Sequence, residues 1–438
     1  MVAESWLHHD AVQAIRSRQF ADPPYLNLLE LLDTLSDEPT TDHPNIPQRN
    51  LGVEIQVISR RSPFAILAGI PRVLEMLEKC VGEWSGGRRF AARYEDLDIW
   101  SLDDGHLIAS DGVPVNSLPV LVISGTYRFF AHLKTPLLGT LSRASRVATN
   151  TFRLIDAAGG KPVFTFAARY DPHEVQELDG YAYGVGVRTF NTHSGSSLDD
   201  SVSTYANARF TGASIVGTLS HEAIACFGGD VAELMLKFAE TAPVDRLRVA
   251  LVDFSNDCLR DAERAMRVLF EKSLEARHAG TTEDELRYRL DGVRIDTSAE
   301  LVDLSVSNDR RGLPEERGVS ASLVRALRSM MDSAWKGWDI PADERASAEA
   351  WCRRVRIIAS GGFTESRIAA FERDRVPVDA YGVGTALLSN CSGEQSTTDF
   401  AAGITRVMRS DGWLEIAKAG RRRAWDDRLI QRRGSIES

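Results

Sequence analysis

Val355-Arg356-Ile357-Ile358-Ala359-Ser360-Gly361-Gly362-Phe363-Thr364, followed by Val378-Asp379-Ala380-Tyr381-Gly382-Val383-Gly384-Thr385, carries more structural information than any other part of this chain. Each piece is a short apolar run that ends in glycines and is followed by a helix-like segment. Such a run reads as a buried strand that delivers bare backbone N–H groups to a point beyond its sheet. Glycine lets the backbone approach an anion closely, and a helix start after the turn favours negative charge. Barrel enzymes often hold phosphate on the loops after their last strands, and two turns about twenty residues apart can share one. The pair therefore predicts a phosphate site built from Ser360, Gly361, Gly362, Gly382, Gly384 and Thr385.

Upstream of these turns, strand and helix signals alternate. Pro162–Ala167, Arg248–Asp253 and Gly292–Asp296 read as strands, and Cys258–Arg277 and Ser322–Trp335 as amphipathic helices. Alternation of this kind implies a parallel sheet, here an incomplete TIM-like α/β barrel. Before Arg128 the pattern differs. Leu51–Ser59 alternates as a strand does, while Ile66, Ile70, Val73, Leu74 and Leu77 predict a helix over Ala65–Lys79. Short strand-like runs then follow between Asp-Gly turns. After Asn390 strand-like runs return around Ile404 and Leu414. The expected organisation is a mixed α+β domain of residues 1–130 that takes in the C-terminal strands of 391–438, with the barrel over 131–390.

The 438 residues carry a formal net charge of −10, which argues against nucleic acid or an anionic membrane as a general partner. No run reaches membrane-spanning length, and the N-terminus lacks a signal pattern. The five cysteines are scattered without metal-ligand spacing, which fits a reducing cytoplasm and neither a disulfide framework nor structural zinc.

Four further residues sit where barrel chemistry takes place. His221, after the flexible Gly217-Thr218 lead-in, opens a helix expected to run toward Ala239. Asp253 and Asp296 end apolar strands, where carboxylates can hold ribose hydroxyls or a Mg²⁺ that bridges a polyphosphate. Arg169 closes another strand and suits a phosphate or a carboxylate. The run Arg421-Arg422-Arg423 reads as a solvated surface patch.

The chain resembles nicotinate phosphoribosyltransferases, most closely their shorter archaeal and bacterial forms. The resemblance rests on an ordered series: Arg61-Ser62-Pro63-Phe64, Thr135-Pro136-Leu137-Leu138-Gly139, Gly217-Thr218-Leu219-Ser220-His221, Leu251-Val252-Asp253, Val293-Arg294-Ile295-Asp296-Thr297 and the two glycine turns. It ends at Ile416-Ala417-Lys418-Ala419-Gly420-Arg421. The resemblance implies transfer of phosphoribose from phosphoribosyl pyrophosphate (PRPP) to the nitrogen of nicotinate, with Mg²⁺, in NAD salvage. It implies that ATP is a co-substrate which transiently phosphorylates His221, and that active sites are completed across a homodimer or higher homo-oligomer. By the same resemblance His221, Asp253 and Asp296 are catalytic, the glycine turns and Arg169 bind PRPP, and Arg169, Thr218 and Tyr25 bind the acceptor. Mg²⁺ would be held by PRPP with carboxylate help rather than by a dedicated protein cage.

Three places depart from the family pattern. Arg169 has Ala168 and Tyr170 as neighbours where the family shows a pair of adjacent arginines, the N-terminal aromatic is displaced to leave Tyr25, and Ser298-Ala299-Glu300-Leu301-Val302 replaces a polar run after Asp296. These departures leave two alternatives open: phosphoribosyl transfer to another pyridine or an unusual base, or a paralogue that binds phosphate or PRPP without turnover.

Overall fold

A computed structural model describes residues 5–37, 48–85, 89–306, 309–310, 312–390 and 397–434. The chain divides into two compact units, the first of residues 1–152, 177–193 and 389–438, the second of 153–176 and 194–388.

The first unit is built on a six-stranded antiparallel sheet. Its strand order is Gly412–Glu415, Phe400–Arg409, Gly52–Ser59, Pro119–Thr126, Asp98–Ser101 and Ile430–Arg433. Three strands from the C-terminal end thus complete a sheet begun by three from the N-terminal part. The strand Gly52–Ser59 lies inside this sheet and is buried on both faces. Val53, Ile55 and Val57 supply one apolar face, while Glu54 and Gln56 point the other way, yet they are 1% and 4% exposed.

Burial of Glu54 is possible because cations come to it. Arg406 Nη2 lies 2.8 Å from Glu54 Oε2, and Arg423 Nε donates to Oε1 at 2.8 Å. Gln56 grips the backbone of Ala424 from both sides, donating to its carbonyl at 2.8 Å and accepting from its N–H at 3.1 Å. Arg423 is therefore not a solvated patch residue: it ties the C-terminal segment to the central strand.

The helix expected over Ala65–Lys79 starts only at Ile70 and runs to Cys80. Gly69 has φ +102° and Pro71 occupies the first turn, so the chain cannot be helical through this point. Phe64–Ile66 instead pairs with Leu107–Ala109 as a two-stranded ladder. The helix start takes its cap from elsewhere. Asp104 accepts from the N–H groups of Gly69 at 2.8 Å and Ile70 at 3.0 Å, and from the Tyr181 hydroxyl at 2.9 Å.

The second unit holds a five-stranded, all-parallel sheet in the order Val249–Leu251, Gly292–Ile295, Arg356–Ala359, Ala380–Val383 and Val163–Thr165. A separate parallel pair joins Ser201–Val202 to Ser214–Ile215. The fold is thus mixed α/β with a parallel sheet and covering helices, as the alternation of signals predicts. The strands read as apolar runs because both faces of a parallel sheet are covered. Cys258–His278, with its start capped by Asp257, buries Cys258, Ala262, Ala265, Met266, Leu269 and Phe270 on its inner stripe. Among the described residues no helix is long and apolar enough to cross a membrane.

Replacing Glu54 by alanine would remove the buried carboxylate on which two partly exposed guanidinium groups converge. Breaking a buried ion pair from one side costs about 3 kcal/mol or more, so Glu54→Ala should lower the thermal unfolding midpoint clearly. A midpoint equal to that of the parent would contradict this account of how the C-terminal segment is held.

Candidate active site

The C-terminal ends of the parallel strands in the second unit bring most of the singled-out residues together. At their centre is Arg294, a charged residue set between Val293 and Ile295, which are both fully buried. Its guanidinium reaches three acceptors. Nε donates to Ser360 Oγ at 2.9 Å, Nη1 to Thr218 Oγ1 at 2.7 Å, and Nη2 to Asp296 Oδ2 at 2.6 Å. The Phe166 ring lies beneath it, with the guanidinium carbon 4.8 Å from the ring centroid.

Ser360 Oγ is also 2.9 Å from Asp296 Oδ1, so Arg294 and Ser360 between them engage both oxygens of Asp296. Asp296 thus serves neighbouring strand ends rather than capping a helix. One arginine cross-links three loops: the one before His221, its own strand end and the glycine turn. Five donors in a rigid plane suit arginine to this task, and lysine could not reproduce it.

His221 opens a helix, but a short one. His221–Cys226 is followed by Gly228 and Gly229 at φ +64° and +87°, after which Asp230 caps a new helix, Val231–Thr241. The helix expected to run to Ala239 is broken because this glycine pair adopts left-handed backbone. Ser220 caps the first helix by accepting from Ala223 N–H. His221 Nε2 lies 3.0 Å from Asp253 Oδ2.

The His221 ring is half-exposed, while the Asp253 side chain is only 7% exposed. Burial pushes the Asp253 carboxyl above the ordinary carboxylate range. The hydrogen bond and charge of His221 oppose that rise, and the nearby Asp296 adds to it. Among the described residues, Asp253 Oδ1 is buried without a hydrogen-bond partner. A buried, unpaired carboxylate oxygen suits a ligand hydroxyl or a hard cation.

The two glycine turns differ physically. At Ser360-Gly361-Gly362 both glycines have positive φ, +89° and +69°, and a Cβ at Gly361 would stand 3.3 Å from Asp296 Oδ1. Thr364 then caps the helix Glu365–Arg373. At Gly382 and Gly384 the missing side chains leave room for rings. A Cβ at Gly382 would stand 2.3 Å from Phe166 Cε2, and one at Gly384 would stand 2.5 Å from Tyr170 Cε2. Thr385 is exposed and opens the short helix Thr385–Leu388.

Arg169 is exposed beside these rings, its guanidinium carbon 5.6 Å from the Tyr170 centroid. Among the described residues it makes no hydrogen bond or ion pair, and it stands outside the Arg294 network. Tyr25 belongs to the first unit, in the helix Pro23–Asp33, with Lys134 Nζ 4.8 Å from its ring centroid.

Two site residues went unassigned in the sequence reading: Arg294 and Phe166. A signal for Arg294 existed, since a charge at the alternate position of an apolar strand, in phase with Asp296, must face something other than the helix layer. For a metal, no group of three or more His, Cys, Asp or Glu side chains among the described residues could hold one. The single free oxygen of Asp253 fits Mg²⁺ that arrives with a polyphosphate and keeps most of its waters.

The chain resembles solved structures of pyridine-nucleotide enzymes in fold. It covers 95% of itself and 80% of a nicotinate-nucleotide pyrophosphorylase from Pyrococcus furiosus, at TM-score 0.61 and 24% identity. Against human nicotinic acid phosphoribosyltransferase the TM-score is 0.52 at 18% identity, covering 82% of this chain and 71% of that one.

Over 305 residues the chain is 25% identical to a nicotinate phosphoribosyltransferase of Mycobacterium tuberculosis, a match that covers 70% of this chain and 50% of the relative. The chain thus spans about half the length of the curated relatives it matches. No family model matches. The resemblance carried by the sequence motifs is borne out in these relatives.

A pH signature follows from Asp253. Its proton is held more tightly in the folded chain than in the unfolded one, so the group favours folding at low pH. That contribution is lost as pH rises through the folded value. Asp253→Asn should therefore raise the thermal midpoint at neutral pH, with the gain shrinking toward acid. A gain that grows on acidification would contradict the assigned direction.

Proposed function

We propose that this chain is a nicotinate phosphoribosyltransferase of NAD salvage, which forms nicotinate mononucleotide and pyrophosphate from nicotinate and PRPP. The observation that carries this reading is the Arg294 network. It joins Thr218, Asp296 and Ser360, which belong to three separate motifs of the family series, at one end of one parallel sheet. The relatives from Mycobacterium tuberculosis, named for this activity, support it. In this reading the five parallel strands and the pair at 201–202 and 214–215 form an incomplete barrel. The enzyme works as a cytoplasmic homodimer or higher homo-oligomer, with Tyr25 supplied to the acceptor.

The transfer asks for positioning and charge stabilisation more than for covalent chemistry. Pyrophosphate leaves the anomeric carbon with the bonding electrons, positive charge develops on the ribose, and the pyridine nitrogen donates its lone pair to that carbon. The Ser360 N–H is bonded to the Ile295 carbonyl, so the turn would offer the N–H groups of Gly361 and Gly362 to the 5′-phosphate, with the second turn, Gly382 to Thr385, beside it. Asp253 Oδ1 would take a ribose hydroxyl or a magnesium ion. Mg²⁺ carried by PRPP would neutralise charge on the leaving pyrophosphate. Arg294 fixes Asp296 and Thr218 against the ribose and the acceptor, and Arg169 offers a cation to a phosphate or to the nicotinate carboxylate.

ATP coupling would run through His221. With Nε2–H donating to Asp253, Nδ1 keeps its lone pair and can attack the γ-phosphorus of ATP. ADP departs, and water later takes the phosphoryl group from the imidazole.

Pure protein incubated with PRPP, Mg²⁺ and a panel of pyridines, with and without ATP, tests this reading through pyrophosphate and mononucleotide formation. Turnover of nicotinate, faster with ATP, is expected. Turnover of another base instead would move the assignment to that acceptor. PRPP binding without turnover of any base would make the chain a binding paralogue. His221→Ala should abolish the ATP stimulation and leave some basal transfer. Arg294→Lys should lower kcat/KM roughly a hundredfold, because two of three anchored contacts are lost.

A further inference from the structure

Tyr170 sits on the second glycine turn in an arrangement that its packing alone does not account for. It ends a tight turn, its N–H bonded to the Ala167 carbonyl at 3.0 Å. The phenol end of its ring lies over Gly384: a Cβ there would stand 2.5 Å from Cε2 and 3.2 Å from both Cζ and the hydroxyl oxygen. Gly382, in the strand Ala380–Val383, and Gly384, just past its end, receive Phe166 and Tyr170 in the same way.

The two rings differ in one respect. Phe166 is half-buried beneath Arg294, whereas Tyr170 is 51% exposed. Burial of apolar area explains little of a ring that is half in solvent, and a phenylalanine would fill the space over Gly384 equally well. Among the described residues no hydrogen bond engages the Tyr170 hydroxyl. The hydroxyl oxygen lies 3.2 Å from where a Cβ of Gly384 would stand, and the Arg169 guanidinium carbon lies 5.6 Å from the ring centroid. A phenol O–H donor seated over the turn, with a guanidinium beside its ring, offers the groups that recognise an anion.

We propose that the Tyr170 hydroxyl donates a hydrogen bond to the 5′-phosphate at the second glycine turn and so closes the phosphate subsite opposite Ser360-Gly361-Gly362. Gly384 is then required as the seat that positions this phenol as well as for its bare backbone. The inference rests on the phosphoribosyl reading of the site.

Calorimetric titration of the wild type, Tyr170→Phe and Tyr170→Ala with PRPP, ribose 5-phosphate and inorganic pyrophosphate tests it. Tyr170→Phe keeps the ring on Gly384 and removes only the hydroxyl. It should weaken PRPP and ribose 5-phosphate about tenfold, as expected for a hydrogen bond to a charged group, and leave pyrophosphate unchanged. Tyr170→Ala should weaken the same two ligands at least as much.

Unchanged affinity of Tyr170→Phe for ribose 5-phosphate would overturn the proposal while leaving the phosphoribosyl reading intact. So would a loss confined to pyrophosphate, which would put the hydroxyl at the other end of the substrate. Failure of the wild type to bind PRPP or ribose 5-phosphate would remove the reading and the proposal together.

Discussion

The candidate site depends on a single guanidinium. Arg294 is planted in the middle of a parallel sheet between two fully buried aliphatic residues, with Phe166 under one face. A charge in that position is costly unless every donor finds an acceptor of good geometry. It meets Ser360, Thr218 and Asp296 at 2.9, 2.7 and 2.6 Å, so the sheet can carry it. The three contacts also fix the relative positions of three loops that would otherwise be set only by their own turns. Preorganisation of this kind is what a reaction with a charged, loosely bonded transition state requires.

The partition of roles among the carboxylates follows from the same network. Asp296 has one oxygen on Arg294 and the other near Ser360, so it is committed to structure around the site. Asp253 is more deeply buried and shares only one oxygen, with His221. Among the described residues its second oxygen is buried without a partner and is left for a ligand. Two strand-end acids that look alike in sequence therefore have different chemical capacity.

How much of this could be read from the sequence depends on whether the signal was local. The parallel strands, the glycine turn at Ser360-Gly361-Gly362 and the positions of His221, Asp253 and Asp296 are written in short-range patterns, and they come together in one unit. The broken helices at Gly69 and at Gly228-Gly229 were also legible in principle, since glycine and proline override apolar spacing there. What depended on partners distant in sequence was not legible. Arg423 reads as a surface charge until Glu54 meets it, and nothing local to Gly382 and Gly384 shows that Phe166 and Tyr170 pack against them. Close approach between segments more than two hundred residues apart leaves no local periodicity to find.

The most direct test of the central claim is a crystal structure with PRPP and Mg²⁺ bound. The account expects the 5′-phosphate on the backbone of Ser360-Gly361-Gly362, and a ribose hydroxyl or the magnesium on Asp253 Oδ1. Arg294 should remain bonded to Asp296, Ser360 and Thr218. A phosphoribosyl group bound away from these strand ends, or an Asp253 Oδ1 still without a partner in the loaded site, would contradict it.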